Sequence, residues 1–294
     1  MLPCTDMRHR STIRRLNLTV CAATLAMALG GCSAPLPWPR SPLYEFPERD
    51  AGWTGPASER EAMEAIAGHY AHYDVVAYED ATTRTPMRTF TVSYGFTDFR
   101  IEDGRLFQVD RFCHAEQILN QKNVTVLFSD EATRAIAPRV QEVHLEFEDG
   151  RWTVVRPASP TLLGIAGDPS LPLSRNTRNP GLVDADGDGK PGVTVKLKMG
   201  NLLDGEIYIT RREIYSDSLT LYSDGNLYGT VKDQSEQFVI GASHRILAQQ
   251  SNPLQNPDPG MNPVILVRVS EELQTCEQLM AQRDLLFPPE PVFR

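Results

Sequence analysis

The sequence predicts a single, mostly β domain: an antiparallel, hairpin-rich barrel or sandwich with an N-terminal and a C-terminal helix. From residue 86 onward, short runs rich in β-branched and aromatic residues follow one another, which is typical of strands. Asp-Gly pairs, which readily adopt the positive φ angles of tight turns, separate these runs. The pairs are Asp103-Gly104, Asp149-Gly150, Asp204-Gly205 and Asp224-Gly225. Because tight turns join antiparallel neighbours, the sheet should be antiparallel.

Residues 1–31 have the features of a signal peptide, which is excluded from the mature fold. Four arginines form a basic start, and the apolar stretch 16–29 is too short to span a bilayer. The segment Leu29-Gly30-Gly31-Cys32 follows it and resembles the lipobox of bacterial lipoproteins. The resemblance implies that the Cys32 sulfur carries a diacylglycerol before cleavage. The alternative is an ordinary signal peptide in which Cys32 is incidental.

Residue 33 is Ser. In the lipoproteins of two-membrane bacteria, which this chain resembles, Asp at that position often marks retention in the inner membrane. The resemblance therefore implies an outer-membrane lipoprotein, on the periplasmic or cell-surface side. Several acyl chains on one cysteine give stable anchoring, whereas a single chain is marginal.

Residues 32–56 are rich in proline and are interpreted as an extended, semi-rigid tether. Residues 57–294 form the β-rich domain. Its first helix is predicted over 57–73, capped by Ser58, with His69 and His72 on one face. A closing helix is predicted over 270–286 and a short one over 129–137. A slip in the apolar pattern between Phe96 and Phe99 predicts a β-bulge. Residues 157–183 and 251–263 are predicted loops.

A dense acidic loop, residues 184–195, leads into a predicted half-buried strand. Asp184, Asp186 and Asp188 alternate, and Gly189 follows the last of them. Alternate side chains of a curled loop can point at one centre, and calcium takes six to eight oxygen ligands. The pattern therefore predicts a calcium site, with a solvated acidic turn as the alternative.

This loop resembles the EF-hand calcium loop, and more closely the EF-hand-like loops of secreted bacterial proteins such as dockerins. The resemblance implies that the three aspartates fill the first, third and fifth places and that the Lys190 carbonyl fills the seventh. The twelfth place holds Val195 and not Glu, so a further ligand must come from elsewhere or from water. Asp168, Asp204 and Glu206 are candidates. The flanking residues do not predict the helix pair of a calcium sensor.

Cysteine usage predicts one disulfide. Cys4 and Cys21 leave with the signal peptide and Cys32 is lipidated, so Cys113 and Cys276 remain in an oxidising compartment. The alternative is two buried free thiols.

Charge and motifs exclude several function classes. Removal of residues 1–31, which carry four Arg and one Asp, leaves a net charge of −12, and this argues against nucleic-acid binding. The sequence has no nucleophile elbow, zinc-protease helix or phosphate loop, so an enzyme is not expected. The membrane, through the lipid anchor, and an unidentified envelope protein or ligand are the expected partners.

Three functions stay open. The first is a calcium-stabilised β-domain at the outer membrane that acts as a structural or binding module. The second is a β-barrel whose cavity carries a lipid or small apolar ligand. The third is a hydrolase of envelope polymers, which needs two carboxylates converging in a cleft.

Overall fold

One antiparallel sheet of twelve strands forms the frame of the protein in a computed structural model, which describes residues 35–48, 52–81, 86–251 and 253–294 apart from the side chain of Arg139. The strands are β1 (Gly68–Asp80), β2 (Met87–Glu102), β3 (Arg105–Leu119), β4 (Val124–Phe128), β5 (Arg139–Glu148), β6 (Arg151–Leu163), β7 (Val193–Met199), β8 (Leu203–Leu221), β9 (Leu227–Asp233), β10 (Glu236–Ala242), β11 (Leu254–Gln255) and β12 (Pro263–Arg268). The prediction of a mostly β, antiparallel fold is confirmed.

Three α-helices accompany the sheet in the described ranges: α1 (Glu59–Ile66), α2 (Asp130–Arg134) and α3 (Cys276–Leu286). Ser58 caps α1, as predicted, and Thr275 caps α3 in a reciprocal pair of hydrogen bonds with Gln278. All three helices were predicted, and each is shorter than its prediction. None in the described part of the chain has both the length and the apolar character needed to cross a membrane.

Eight strands pair in a closed cycle, which gives the sheet a ring-like arrangement. The cycle runs β1–β12–β9–β8–β6–β5–β3–β2 and returns to β1. β4 and β7 make a second connection from β3 to β8. The nineteen-residue β8 pairs with β7 and β10 near its start and with β6 and β9 farther along.

β1 is buried on both faces, and this explains why the predicted helix 57–73 is wrong beyond Ile66. Its outer positions belong to an apolar core cluster, and they are Ala71, Tyr73, Val75 and Ala77. The positions between them line an internal cavity, and they are His72, Asp74, Val76 and Tyr78. A strand buried on both sides lacks a clean alternation of apolar and polar residues. Because His69 and His72 lie three apart in a strand, they face opposite sides and do not form the predicted pair.

The N-terminal segment 35–48 covers the outer face of β1 and β2. The Trp38 ring lies 5.2 Å from that of Phe90, and the Tyr44 hydroxyl lies 2.7 Å from that of Tyr73. The Leu36 amide donates to a backbone carbonyl at 3.1 Å. This part of the predicted 32–56 tether is extended, but it is packed into the domain and is not a free spacer. The reason is that apolar residues between the prolines pack against the outer core, the apolar cluster on the outer face of β1 and β2 that includes Tyr73 and Phe90.

Two of the predicted Asp-Gly turns are two-residue hairpin loops. Asp103 and Gly104 have φ angles of 49° and 74°, and Asp149 and Gly150 have 51° and 74°. The pair at 224–225 also lies in a turn, between β8 and β9. The prediction of a turn at 204–205 is wrong, because residues 200–202 already supply the turn between β7 and β8.

A β-bulge lies one strand away from its predicted position. Tyr94 pairs with His114 and Gly95 with Phe112, so Cys113 is an extra residue in β3. A Cβ atom on Gly95 would lie 2.2 Å from the Arg111 carbonyl oxygen, which explains the glycine there. Because of the extra residue, the side chains of β3 that face inward change from even-numbered positions, such as Phe112, to odd-numbered positions, such as Ala115 and Gln117.

The bulged Cys113 lies at disulfide distance from Cys276, with the sulfur atoms 2.04 Å apart. The bond joins β3 to the first residue of α3 and agrees with the predicted pairing. It fastens α3 over the outer core, where Leu279 of the helix is fully buried.

β6 continues into the predicted loop 157–183. Its register with β8 shifts between Arg156 and Ser159, and pairing then resumes as far as Leu163. The shift accommodates Pro157, which has no N–H to donate. Beyond Leu163 the chain has two isolated bridges, Ile165 to Leu182 and Asp184 to Gly192. The second predicted loop contains β11 and a short 3₁₀ turn, Pro259–Met261.

Candidate functional site

The acidic loop is closed by its first aspartate. The Asp184 Oδ1 accepts hydrogen bonds from the backbone N–H groups of Gly187 and Asp188, and its Oδ2 accepts one from Gly189. Gly187 and Gly189 have φ angles of 72° and 84°, which side chains with a Cβ rarely adopt. These three contacts curl the chain so that the later carboxylates turn towards Asp184.

Thr194, the second residue of β7, holds the other two aspartates. Its backbone N–H donates to Asp186 Oδ2 at 2.8 Å, and its hydroxyl donates to Asp188 Oδ2 at 2.6 Å. Asp184, Asp186 and Asp188 thereby present oxygens that all lie within 4.8 Å of one another. Hard cations prefer such a cluster of oxygens.

One oxygen of the cluster lacks a hydrogen-bond partner. Asp186 Oδ1 is buried, and no described residue donates to it. Burial, together with the charges of Asp188 and Asp184, raises the pKa of Asp186 despite the hydrogen bond from Thr194. A divalent cation would supply both the missing contact and the missing positive charge, so these residues fit the predicted calcium ion.

Lys190 supplies a positive charge beside the loop. Its Nζ lies 2.7 Å from Glu206 Oε2 and 3.4 Å from Asp188 Oδ2. The hydrogen bond to Glu206 raises the pKa of Lys190. The binding of a metal ion by the Lys190 carbonyl stays a prediction.

The other candidate ligands lie in different settings. Val195, at the twelfth place, is buried in β7. Glu206 is linked to the loop through Lys190. Asp204 is exposed opposite Lys198, and Asp168 accepts hydrogen bonds from Ser170. Glu206 is therefore the candidate with a contact to the loop. The lipidation residue, Cys32, lies outside the described residues.

A partly open cavity inside the ring of strands is the second feature, and the sequence did not predict its lining. It has a volume of about 120 Å³ and adjoins a second cavity of about 230 Å³, with which it shares six residues. Alternate residues of β1 and β8 form much of its wall, and Ala132 and Thr133 of α2 also line it. Apolar side chains make up much of the rest of its lining, and they include Val76, Phe112, Phe128, Ile136, Leu163 and Val264.

A buried polar cluster forms one end of the cavity. His72 Nε2 donates to Asp74 Oδ2 at 2.9 Å, and His72 Nδ1 lies 2.8 Å from the Thr97 hydroxyl oxygen. That hydroxyl donates in turn to Asp110 Oδ1 at 2.7 Å. Both ring nitrogens of His72 therefore act as donors, as in the charged form. Burial alone would lower the pKa of His72, but the hydrogen bond to Asp74 and the charges of Asp74, Asp110 and Asp217 raise it.

Arg156 lies behind this cluster and is 1% exposed. Its Nη1 donates to the Tyr215 carbonyl at 2.8 Å, its guanidinium lies 4.1 Å from the Tyr215 ring centroid, and its Nε is 3.4 Å from Asp110 Oδ2. The Tyr215 hydroxyl donates to the same Asp110 oxygen at 3.0 Å. Asp110 is thus well compensated by hydrogen bonds and by a cation.

Asp217 is less well compensated. It is 6% exposed and belongs to the cavity wall. The Gln108 Nε2 donates to its Oδ2 at 3.4 Å, while its Oδ1 has no hydrogen-bond partner among the described residues. Burial and the nearby Asp110 charge raise the pKa of Asp217 to about 7, despite the positive charges of Arg156 and His72.

The opposite end of the cavity is polar but internally paired. Arg211 Nε lies 2.7 Å from Glu213 Oε1, and the Tyr78 hydroxyl donates to Asp233. Asp217 is therefore the wall carboxylate with an unsatisfied oxygen.

A weak signal of this cavity is present in the sequence. Charged residues occupy alternate positions of two strand segments, His72 and Asp74 in β1 and Arg211, Glu213 and Asp217 in β8. Read alone, such alternation indicates a solvent-facing side, and only the closed cycle of strands turns it inward.

Comparison with protein-family models, curated proteins and solved structures finds no match to this chain.

Proposed function

We propose that this protein is a binding module of the cell envelope, a β-barrel that takes a small molecule into its internal cavity. The observation that carries the proposal is the cavity itself, whose lining is mostly apolar and includes a few polar groups. Ligand sites have this composition, because apolar surface supplies affinity and a few polar groups fix orientation.

The barrel, as opposed to the sandwich, is supported by the closed cycle of eight antiparallel strands. Eight strands enclose an interior that side chains fill or that holds one small ligand. Inward-facing polar residues on β1 and β8 agree with this arrangement.

In this proposal, a lipid on Cys32 anchors the protein to the outer membrane. Calcium, bound by Asp184, Asp186 and Asp188, stabilises the acidic loop. The loop leads into β7, whose Val195 lines the larger cavity, so that calcium would act on the cavity wall through the strand that follows the loop.

Cavity size favours a small ligand over the other candidates. Protein cavities of about 150 Å³ bind benzene, and drug-sized ligands occupy pockets of about 300 Å³ or more. The cavity of about 120 Å³ and its neighbour of about 230 Å³ suit a molecule with one ring or a short chain. A polymer hydrolase needs an open cleft for a long chain, and a long acyl lipid needs more space.

A fragment screen tests the proposal. A set of one-ring molecules, with neutral, cationic and anionic members, is screened by ligand-observed NMR against the domain from residue 33 onward. We expect some members to bind, and Ala115→Phe, which fills the cavity, to abolish that binding.

The matched control is Ala281→Phe, since Ala281 is exposed on α3. It should bind fragments as the wild type does, and near-ultraviolet circular dichroism should show that both variants fold. If no fragment binds the wild type, or if Ala115→Phe binds the same fragments equally well, the proposed function is wrong.

A further inference from the structure

The charges on the cavity wall are not balanced. Among the described residues, four carboxylates belong to the wall, those of Asp74, Glu213, Asp217 and Asp233, against the two basic side chains of His72 and Arg211. Asp110 and Arg156 lie behind the wall and offset each other. A guest that enters this cavity therefore meets an excess of negative charge.

Because the other charged side chains of the wall are paired, the excess negative charge is concentrated at Asp217. His72 is hydrogen-bonded to Asp74, and Arg211 is paired with Glu213. Asp233 accepts hydrogen bonds from the hydroxyl groups of Tyr78 and Ser235. Both wall cations are thus engaged, and Asp217 is left with its Oδ1 unpartnered among the described residues.

We propose that the cavity binds a small organic amine, whose ammonium group is held by Asp217 and Asp74 and whose apolar body lies against Phe112 and the aliphatic wall. This inference rests on the proposed function and adds the chemical class of the ligand. An ammonium group would give Asp217 the hydrogen-bond donor that its Oδ1 lacks, with a charge opposite to its own. A neutral donor would satisfy the hydrogen bond and leave the charge uncompensated.

The aromatic rings fit the same guest. Phe112 and Tyr215 line the cavity near Asp217, with their ring centroids 6.2 Å apart. Cations are attracted to aromatic faces, and such contacts strengthen when water is excluded. An anionic guest would meet the carboxylate excess and be repelled.

The titratable and charged groups that act on Asp217 come from several strands: His72 of β1, Asp110 of β3, Arg156 of β6 and Tyr215 of β8. Asp74 of β1 lines the same cavity and is hydrogen-bonded to His72. At low pH Asp217 takes up a proton. This change makes the cavity less negative, so an amine should bind more weakly at pH 6 than at pH 8.

Three probes of one size test the charge selection: benzylamine, benzyl alcohol and benzoate. By isothermal titration calorimetry at pH 8, we expect benzylamine to bind about tenfold more tightly than benzyl alcohol, as expected for a charged hydrogen bond. Benzoate should bind most weakly. Asp217→Asn should remove about that tenfold advantage and leave benzyl alcohol binding unchanged.

Asp284→Asn is the matched control, because the Asp284 side chain is 94% exposed and its loss removes the same charge far from any cavity wall. Equal binding of all three probes, or an amine advantage that survives Asp217→Asn, overturns the amine proposal and leaves the proposed function standing. If none of the three binds, and the fragment screen also finds no ligand, both fail. If the screen finds only neutral or anionic ligands, the amine proposal alone fails.

Discussion

Gln108 Nε2 donates a hydrogen bond of 3.4 Å to Asp217 Oδ2. Among the described residues, the Asp217 carboxylate accepts this one long side-chain hydrogen bond, and its Oδ1 accepts none. The same amide nitrogen lies 3.1 and 3.2 Å from the two oxygens of Asp110. The shared donor therefore lies closer to Asp110 than to Asp217, and burial of the Asp217 carboxylate is less well compensated by hydrogen bonds. That imbalance makes the protein sensitive to pH at this position.

The contribution of Asp217 to the free energy of unfolding should fall as pH rises from about 4 to about 7. The pKa of Asp217 is about 7 in the folded protein and 3.8 as its ordinary value. A raised pKa means that the folded state holds the proton more tightly, so this contribution is complete below pH 4 and is lost as pH rises towards 7. Asp217→Asn cannot ionise. We expect it to stabilise the protein by on the order of 2 kcal/mol at pH 8 and to have little effect at pH 4.

Urea denaturation of both proteins at pH 4, 6 and 8 measures this difference. Asp284→Asn, an exposed carboxylate, should show no such trend. A constant difference between Asp217→Asn and the wild type at all three pH values would contradict the prediction.

Removal of the buried cation should have the opposite effect. Arg156→Leu deletes the guanidinium that lies 3.4 Å from Asp110 and partly offsets Asp217. Loss of one partner of a buried ion pair leaves an uncompensated charge, so we expect a loss of about 3–5 kcal/mol at pH 8. The loss should shrink at pH 5, where Asp217, whose pKa is raised to about 7, takes up a proton. Arg60→Leu, whose side chain is 80% exposed, is the control for urea denaturation at both pH values. Equal, small effects of the two variants would rule this account out.

Local sequence signals predicted three of the four Asp-Gly turns correctly and the first residues of β1 incorrectly. Asp103-Gly104 sets its own turn, because the positive φ angles depend on two adjacent residues. The prediction of helix over residues 68–73, which begin β1, is wrong because the second buried face of this strand exists only when segment 35–48 and α3 cover it. This packing joins segments that are far apart in sequence, so the local pattern of residues cannot predict it.

The acidic loop and the cavity differ in the same way. Asp184, Asp186 and Asp188 are close in sequence, so their clustering could be predicted from spacing. His72 and Asp217 lie on strands far apart along the chain and meet only through the register of the sheet. The polar end of the cavity could not be derived without that register.

Loss of the Cys113–Cys276 bond should destabilise the protein strongly. The bond closes a long loop, with a sequence separation of 163, for which the chain-entropy model gives about 5 kcal/mol, reduced by any residual structure in the unfolded chain. The double variant Cys113→Ala, Cys276→Ala should lose on the order of that amount in urea denaturation. Reductant should destabilise the wild type to a similar extent and leave the double variant unchanged. Peptide mapping under non-reducing conditions that finds two free thiols would refute the pairing.

Lipid attachment is tested at Cys32. The segment Leu29-Gly30-Gly31-Cys32 predicts that labelled palmitate enters the wild-type protein and not Cys32→Ala. Cys21→Ala is the matched control, since Cys21 lies in the predicted signal peptide and should be dispensable. Equal labelling of wild type and Cys32→Ala would disprove lipidation at this residue.

Calcium should stabilise the folded protein through the acidic loop. Three carboxylates with oxygens within 4.8 Å repel one another, and Asp186 Oδ1 is buried without a donor among the described residues. Since Val195 stands at the twelfth place, we expect weak affinity, about 10⁻⁴–10⁻³ M. Calcium at 1 mM would then add about 0.4–1.4 kcal/mol to the free energy of unfolding.

Melting curves in calcium, magnesium and chelator measure that gain. Asp186→Ala and Asp188→Ala should abolish it without unfolding the domain, because both residues lie outside the apolar core, whereas Asp284→Ala should keep it. Magnesium should substitute poorly, since it requires a tighter octahedral shell. Thr194→Val removes the hydroxyl that donates to Asp188 and should weaken the calcium response. The domain should stay folded, because valine is also β-branched and can occupy the same buried position in β7. If the wild-type protein melts at the same temperature in calcium, magnesium and chelator, the loop is an acidic turn and the calcium prediction is wrong.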